Sequence, residues 1–193
     1  LGWKDLHCYG NAHVDTPAID RLAASGMRFT DAYSASPVCT PTRAALMTGR
    51  SPARLQITNH AGGHPPGFRL PGTDLESAKW TRHLPLEETT LAEHLKTMGY
   101  ATGFFGKWHL SHRPKGSGAP DEASLRPQYQ GFDVNVGGCD FGGPPSYFAP
   151  FKNPAMNNEG DPYLPDRLAD ECLSFIRDHI DQPFLGKSFS PAV

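Results

Sequence analysis

Residues 90–109, TLAEHLKTMGYATGFFGKWH, change their period halfway along. Thr90 and Glu93 have the capping-box spacing, in which a hydroxyl and a carboxylate satisfy each other's free backbone amides at a helix start. Leu91, Leu95 and Met98 then share one helical face, and Gly99 supplies the stop. From Tyr100 to Phe105 the pattern becomes the short continuous apolar run of a buried strand. That strand runs straight into Gly106-Lys107-Trp108-His109, and the carboxyl end of a strand is where open α/β sheets place their ligands. The stretch therefore predicts a layered α/β fold with a polar site at one end of a sheet.

Working outward, Thr16-Pro17 followed by AIDRLAASG predicts a short capped helix with Ile19, Leu22 and Ala23 on one face and Gly26 at its end. The alternation of Met27, Phe29 and Tyr33 in MRFTDAYSA predicts a strand over 27–35 that leads to a second helix at Cys39. A third helix is predicted from Pro165, with Leu168, Ala169, Cys172, Leu173, Ile176 and Ile180 on its apolar face, and a strand over 184–190 follows it. Residues 60–89 and 111–163, rich in Gly, Pro and polar residues, read as long loops, and loops of that length are functional or disordered.

The whole is one globular unit, or part of one, of 193 residues. A net charge of −2 argues against broad capture of nucleic acid, and no apolar run of about 18 residues predicts a membrane span. The four cysteines Cys8, Cys39, Cys139 and Cys172 form no C-x-x-C pair, which weakens zinc-ribbon and thioredoxin readings. The opening LGWKDLHCYGN has neither an initiator methionine nor a signal-peptide pattern, so the gene product is expected to start earlier and localisation is unreadable.

Three readings compete for Cys39 in SPVCTPTRAALMTGR. It can be a small buried apolar residue. It can be a phosphatase-type thiolate at a helix amino terminus, but that loop puts arginine six residues on, where this chain has Ala45 and its arginine at Arg43. The third reading is a resemblance: Cys39-Thr-Pro-Thr-Arg43 matches the C-x-P-x-R core of the sulfatase family, and residues 99–109 carry a second signature of that family. LGWKDLHCYGN, TPAIDRLAASGMRFTDAY, GFDVNVGG and YLPDRLADECLSFI also resemble sulfatase segments, most of all those of bacterial arylsulfatase A-like enzymes acting on sulfated carbohydrates.

The resemblance implies an alkaline-phosphatase-like layered fold, with a predominantly parallel central sheet flanked by helices. It implies a sulfuric ester hydrolase acting on a sulfated carbohydrate, small molecule or aryl sulfate. In the family the motif cysteine is oxidised by a formylglycine-generating enzyme, and the hydrated aldehyde attacks sulfur, expels the alcohol and then releases sulfate through its second hydroxyl. By motif position Cys39, Arg43 and His109 would be catalytic and Lys107 would bind a sulfate oxygen; Pro41 suits a first helical turn and is also read by the modifying enzyme.

Calcium is the implied cofactor, with Cys39, as formylglycine, among its ligands. The other ligands would lie outside the chain: an acidic pair before Leu1, and later residues beyond SFSPAV. The fold is thus expected to be incomplete, with 1–193 the amino-terminal part of a catalytic domain and the carboxyl-terminal part and small domain absent. Such a chain is expected to hold calcium weakly. Periplasmic, secreted or lysosomal locations fit the resemblance.

Two other readings stay open: a phosphate or phosphonate ester hydrolase of the same fold, and a nonenzymatic binder of sulfated glycans. Of the remaining residues, Cys139-Asp140 can line a substrate pocket or merely sit in glycine-rich turns. His60 and His64 are better read as substrate-facing loop residues than as a metal pair, since their loop offers no further ligand set.

Overall fold

The computed structural model describes residues 2, 4–65, 67–112 and 122–189. The chain divides into two compact units, Leu1–Ser34 and Ala35–Val193. Position 190, the end of the expected last strand, lies outside the described residues.

In the first unit, helix α1 (Pro17–Ser25) starts on proline as expected. Thr16 does not cap it in the usual way: its hydroxyl accepts from the His7 amide at 3.0 Å and donates to Asp20 at 2.9 Å, tying the helix to the turn at 7–9. No residue of α1 is buried, and Leu22 is 70% exposed, so its apolar stripe has no covering layer within this unit. The strand expected over 27–35 does not form. Met27, Phe29 and Tyr33 do alternate, but the described residues of the unit contain no strand to take up their backbone groups, and all three side chains are exposed.

The second unit is the α/β layer structure. Its helices are α2 (Cys39–Thr48), α3 (Pro52–Leu55), α4 (Leu91–Thr97) and α5 (Leu164–Asp178). Its strands are β1 (Ala101–Gly106), β2 (Val134–Val136) and β3 (Phe184–Phe189), paired in parallel in the order β2-β1-β3. The long segment 111–163 therefore contains a strand that the sequence reading missed.

β1 is central, and its successive side chains feed opposite layers. Phe104 enters a cluster with Ala44 and Met47 of α2, Ala92 of α4, Trp108 and Phe132. Phe105 enters a second cluster with Phe151 and with Leu164, Leu168 and Phe175 of α5. The capping box on α4 forms as predicted, with Glu93 N donating to the Thr90 hydroxyl at 3.1 Å and Thr90 N to Glu93 at 2.7 Å. Thr90 also donates to the Gln130 carbonyl at 2.7 Å, which locks the helix start to the loop before β2.

The helix faces match expectation in part. On α4 the buried residue is Ala92, with Leu91 and Met98 exposed; on α5, Leu168 is buried as expected, together with Leu164 and Phe175, while Leu173 and, beyond the helix end, Ile180 are exposed.

Candidate active site

Val38 is extended, at φ −126 and ψ 158, and the chain turns directly into α2 at Cys39. Cys39 thus opens a helix, as expected, although no strand precedes it. Three of the four motif side chains converge there. The Cys39 sulfur lies 3.2 Å from His109 Nδ1, across 70 residues of chain. The Lys107 ammonium lies close enough to Cys39 for the two side chains to interact. Arg43, one turn further along α2, donates through Nη1 to the Lys107 carbonyl.

The position of His109 is set by its backbone. Its φ is 58, in the left-handed region that non-glycine residues seldom occupy and that costs of order 1 kcal/mol. Three contacts hold it there. His109 N donates to the Cys139 carbonyl at 2.9 Å, and its carbonyl accepts from the Thr40 hydroxyl at 3.2 Å. On the ring face lies Gly142, where a Cβ would come within 3.0 Å of the imidazole. Trp108 anchors the same loop from below: it is 1% exposed, its indole N–H donates to the Leu125 carbonyl at 3.0 Å, and it stacks edge-on with Phe104.

Thr40 and the 139–142 loop are the parts of the candidate site that the sequence reading underrated. Thr40 is fully buried, and besides holding His109 it accepts from Ala61 N at 3.0 Å. The Cys139 side chain is not exposed pocket lining: it is 1% exposed, burial pushes its thiol up to about 11, and the residue contributes its carbonyl instead. The density of glycine around Cys139 was the available signal.

Electrostatically the site is cationic and short of water. Burial pushes the Arg43 guanidinium down to about 10, and burial together with the Arg43 charge lowers the Lys107 ammonium. Burial, then the charges of Lys107, Arg43, His60 and His112, push the His109 imidazole down to about 4, so it is neutral at pH 7. Clustered cationic donors favour an anion. Beside Lys107 a cleft of about 30 Å³, lined also by Phe141, Asn153 and Leu164, is too small for a sugar ring.

The chain matches the family model described as Sulfatase over residues 1–186. It belongs to the sulfatase family. Human arylsulfatase A is 45% identical over 137 residues, 71% of this chain and 23% of that protein. Pig N-acetylgalactosamine-6-sulfatase is 39% identical over 158 residues, 82% of this chain and 26% of that protein. The sulfatase chain described here thus spans about a quarter of the length of these curated relatives. Among solved structures, Ps i-CgsB in complex with k-i-k-neocarrahexaose superposes with a TM-score of 0.71 at 26% identity, covering 97% of this chain and 42% of that one.

The calcium implied by the family finds no complete set of ligands among the described residues. Among the described residues no three His, Cys, Asp or Glu side chains converge as a metal would need, and Cys39 has the cationic Lys107 and Arg43 near it. A hard divalent ion takes six or more oxygen ligands, commonly carboxylates, so these residues alone do not fit it. His60 and His64 are no metal pair either. His60 Nδ1 is bonded to Asn59 at 3.0 Å, while the His64 ring stacks on Phe68 at 4.0 Å.

Proposed function

We propose that this chain carries the nucleophile side of a sulfuric ester hydrolase site that cleaves a sulfate monoester on a sulfated carbohydrate or aryl sulfate, through formylglycine made from Cys39. The observation that supports it most is the meeting of Cys39, Lys107 and His109 at one helix start, backed by Arg43. The names of the relatives favour carbohydrate: one is an N-acetylgalactosamine-6-sulfatase, and another structure holds an oligosaccharide.

Formylglycine, installed by a formylglycine-generating enzyme, would supply a hydrated aldehyde with one hydroxyl to attack and a second to release sulfate, which a thiol lacks. This chain's own residues do the rest. Lys107 offers a compact charge to a sulfate oxygen at position 39. Arg43 lies behind it, donating to the Lys107 carbonyl, and adds a second positive charge toward the sulfate. Neutral His109 presents Nδ1 to position 39 and can accept a proton there. A bound sulfate dianion or monoester would raise the proton affinity of His109, so substrate itself prepares the base. No step is derived through a metal.

Mass spectrometry of the Cys39 peptide from protein made with a formylglycine-generating enzyme tests the reading. Conversion of thiol to aldehyde lowers the mass by about 18 Da. Side-by-side turnover of an aryl sulfate and an aryl phosphate completes the test. Unmodified Cys39 with no aryl sulfate turnover, or faster turnover of the phosphate, would overturn it.

A further inference from the structure

The bonds that hold His109 can be followed back to Arg82. Its guanidinium is half-buried and lies over the Trp80 ring at 5.4 Å, while the Trp80 indole donates to the His64 carbonyl at 3.2 Å. Backbone on either side anchors the segment: Thr81 N donates to the Gln56 carbonyl at 2.7 Å and Leu84 N to the Leu110 carbonyl at 2.8 Å. From this base Arg82 Nε donates to the Ala61 carbonyl at 3.1 Å, and Nη2 donates to Ala61 at 2.5 Å and to Gly63 at 3.3 Å. A planar fork of fixed donors thus grips two carbonyls of one loop, a geometry that a single ammonium does not reproduce.

Ala61 is fully buried, and its amide donates to the Thr40 hydroxyl at 3.0 Å. With the carbonyl held by Arg82 and the amide on Thr40, both peptide groups of the residue are fixed. The consequence falls on Thr40, whose hydroxyl has one proton and two acceptors in reach: the His109 carbonyl at 3.2 Å and His109 Nδ1 at 3.5 Å. The Ala61 amide occupies a lone pair and restricts the turning of the hydroxyl, so its proton goes to the nearer acceptor, the carbonyl. Nδ1 is then left to Cys39, 3.2 Å away. Without the amide in place the hydroxyl can turn and donate to Nδ1, which closes the lone pair that faces position 39.

We propose that Arg82 is a positioning residue for the reaction: acting through Ala61 and Thr40, it keeps His109 Nδ1 open toward position 39. The proposal rests on the reading of His109 as the proton acceptor there. Arg82 acts at two removes, on the direction of one hydroxyl proton, so its loss is felt in turnover and not in substrate binding.

Arg82→Lys keeps the charge and removes the fork, and it is compared in three backgrounds: wild type, Thr40→Ser and Thr40→Ala. The first readout is the imidazole nitrogen NMR spectrum at pH 7.5, with His109 assigned by the loss of its signals in His109→Asn. Arg82→Lys should move the His109 Nδ1 signal upfield, the direction of a newly accepted hydrogen bond, in the threonine and serine backgrounds and leave it in place in the alanine one. The second readout is steady-state kinetics of the formylglycine-bearing enzyme on an aryl sulfate. There Arg82→Lys should lower kcat about tenfold with KM within about twofold, and should lower it no further once residue 40 is alanine. A His109 signal that Arg82→Lys leaves unmoved in the wild-type background, or effects of equal size with and without the hydroxyl, overturns the proposal. The cleavage reading fails separately, on an unmodified Cys39 that turns over no aryl sulfate, and the nitrogen spectrum then decides by itself whether Arg82 directs the hydroxyl. Far-ultraviolet circular dichroism checks that the variants fold, and Arg82→Gln serves should the lysine variant not.

Discussion

His109 makes the fold sensitive to acid, and the size of the effect follows from its surroundings. Its pKa moves from 6.5 to about 4 on folding, at 5% exposure. In the unfolded chain the imidazole takes a proton as pH falls through 6.5; in the folded chain it resists until about 4. Stability is therefore full above pH 6.5 and is lost progressively down to pH 4, by roughly 3 kcal/mol at 1.36 kcal/mol per pH unit. His83 and His112 are shifted the same way, so the wild-type slope alone does not isolate His109. The comparison is with His109→Asn, since asparagine tolerates the left-handed φ of 58 better than other residues. Urea unfolding of both proteins at pH 7.5 and pH 4 gives the difference of differences. The wild type should lose roughly 3 kcal/mol more than the variant, whatever absolute stability the variant starts from. Parallel losses, within about 1 kcal/mol, would mean that His109 is not held neutral by this site, and the electrostatic account of Cys39 would fall with it.

Three further outcomes are expected. Arg43→Lys keeps the charge but loses the fixed donor on the Lys107 carbonyl, so kcat/KM of the formylglycine-bearing enzyme on an aryl sulfate should fall about 100-fold or more in steady-state kinetics. Gly142→Ala puts a methyl 3.0 Å from the His109 ring and should lower that same activity while shifting the urea midpoint little, because the ring and not backbone must yield. Thr90→Ala removes the helix cap together with the bond to Gln130, both buried, and should cost about 2 kcal/mol in urea unfolding at pH 7.5.

What the sequence made legible, and what it hid, follows the range of the interactions. The capping box of α4 joins residues three apart, and β1 is a continuous apolar run, so both could be read directly. The strand expected over 27–35 failed because alternation describes one side of a pairing and says nothing of the partner. β2, at three residues, is too short to show a period and exists because β1 lies beside it. Leu173 lost to Phe175 on α5 for a similar reason, since the burying face is chosen by the ring contacts of Phe105 and Phe184.

The site divides the same way, and the division has a chemical consequence. Cys39, Arg43, Lys107 and His109 are side chains of distinctive type, so resemblance to a family could single them out although Cys39 and His109 are 70 residues apart. What positions them is mostly backbone: the carbonyls of Lys107, His109 and Cys139 and the amide of Ala61. Every residue type carries those groups, so no pattern of letters announces them. Thr40 is the exception, because only a hydroxyl can both donate to the His109 carbonyl and accept from the Ala61 amide in one buried position. Valine there would match its shape and leave both backbone groups unpaired. The resulting penalty would fall on the residue that faces Cys39, so the buried hydroxyl, absent from every functional expectation, constrains the candidate site as firmly as the motif does.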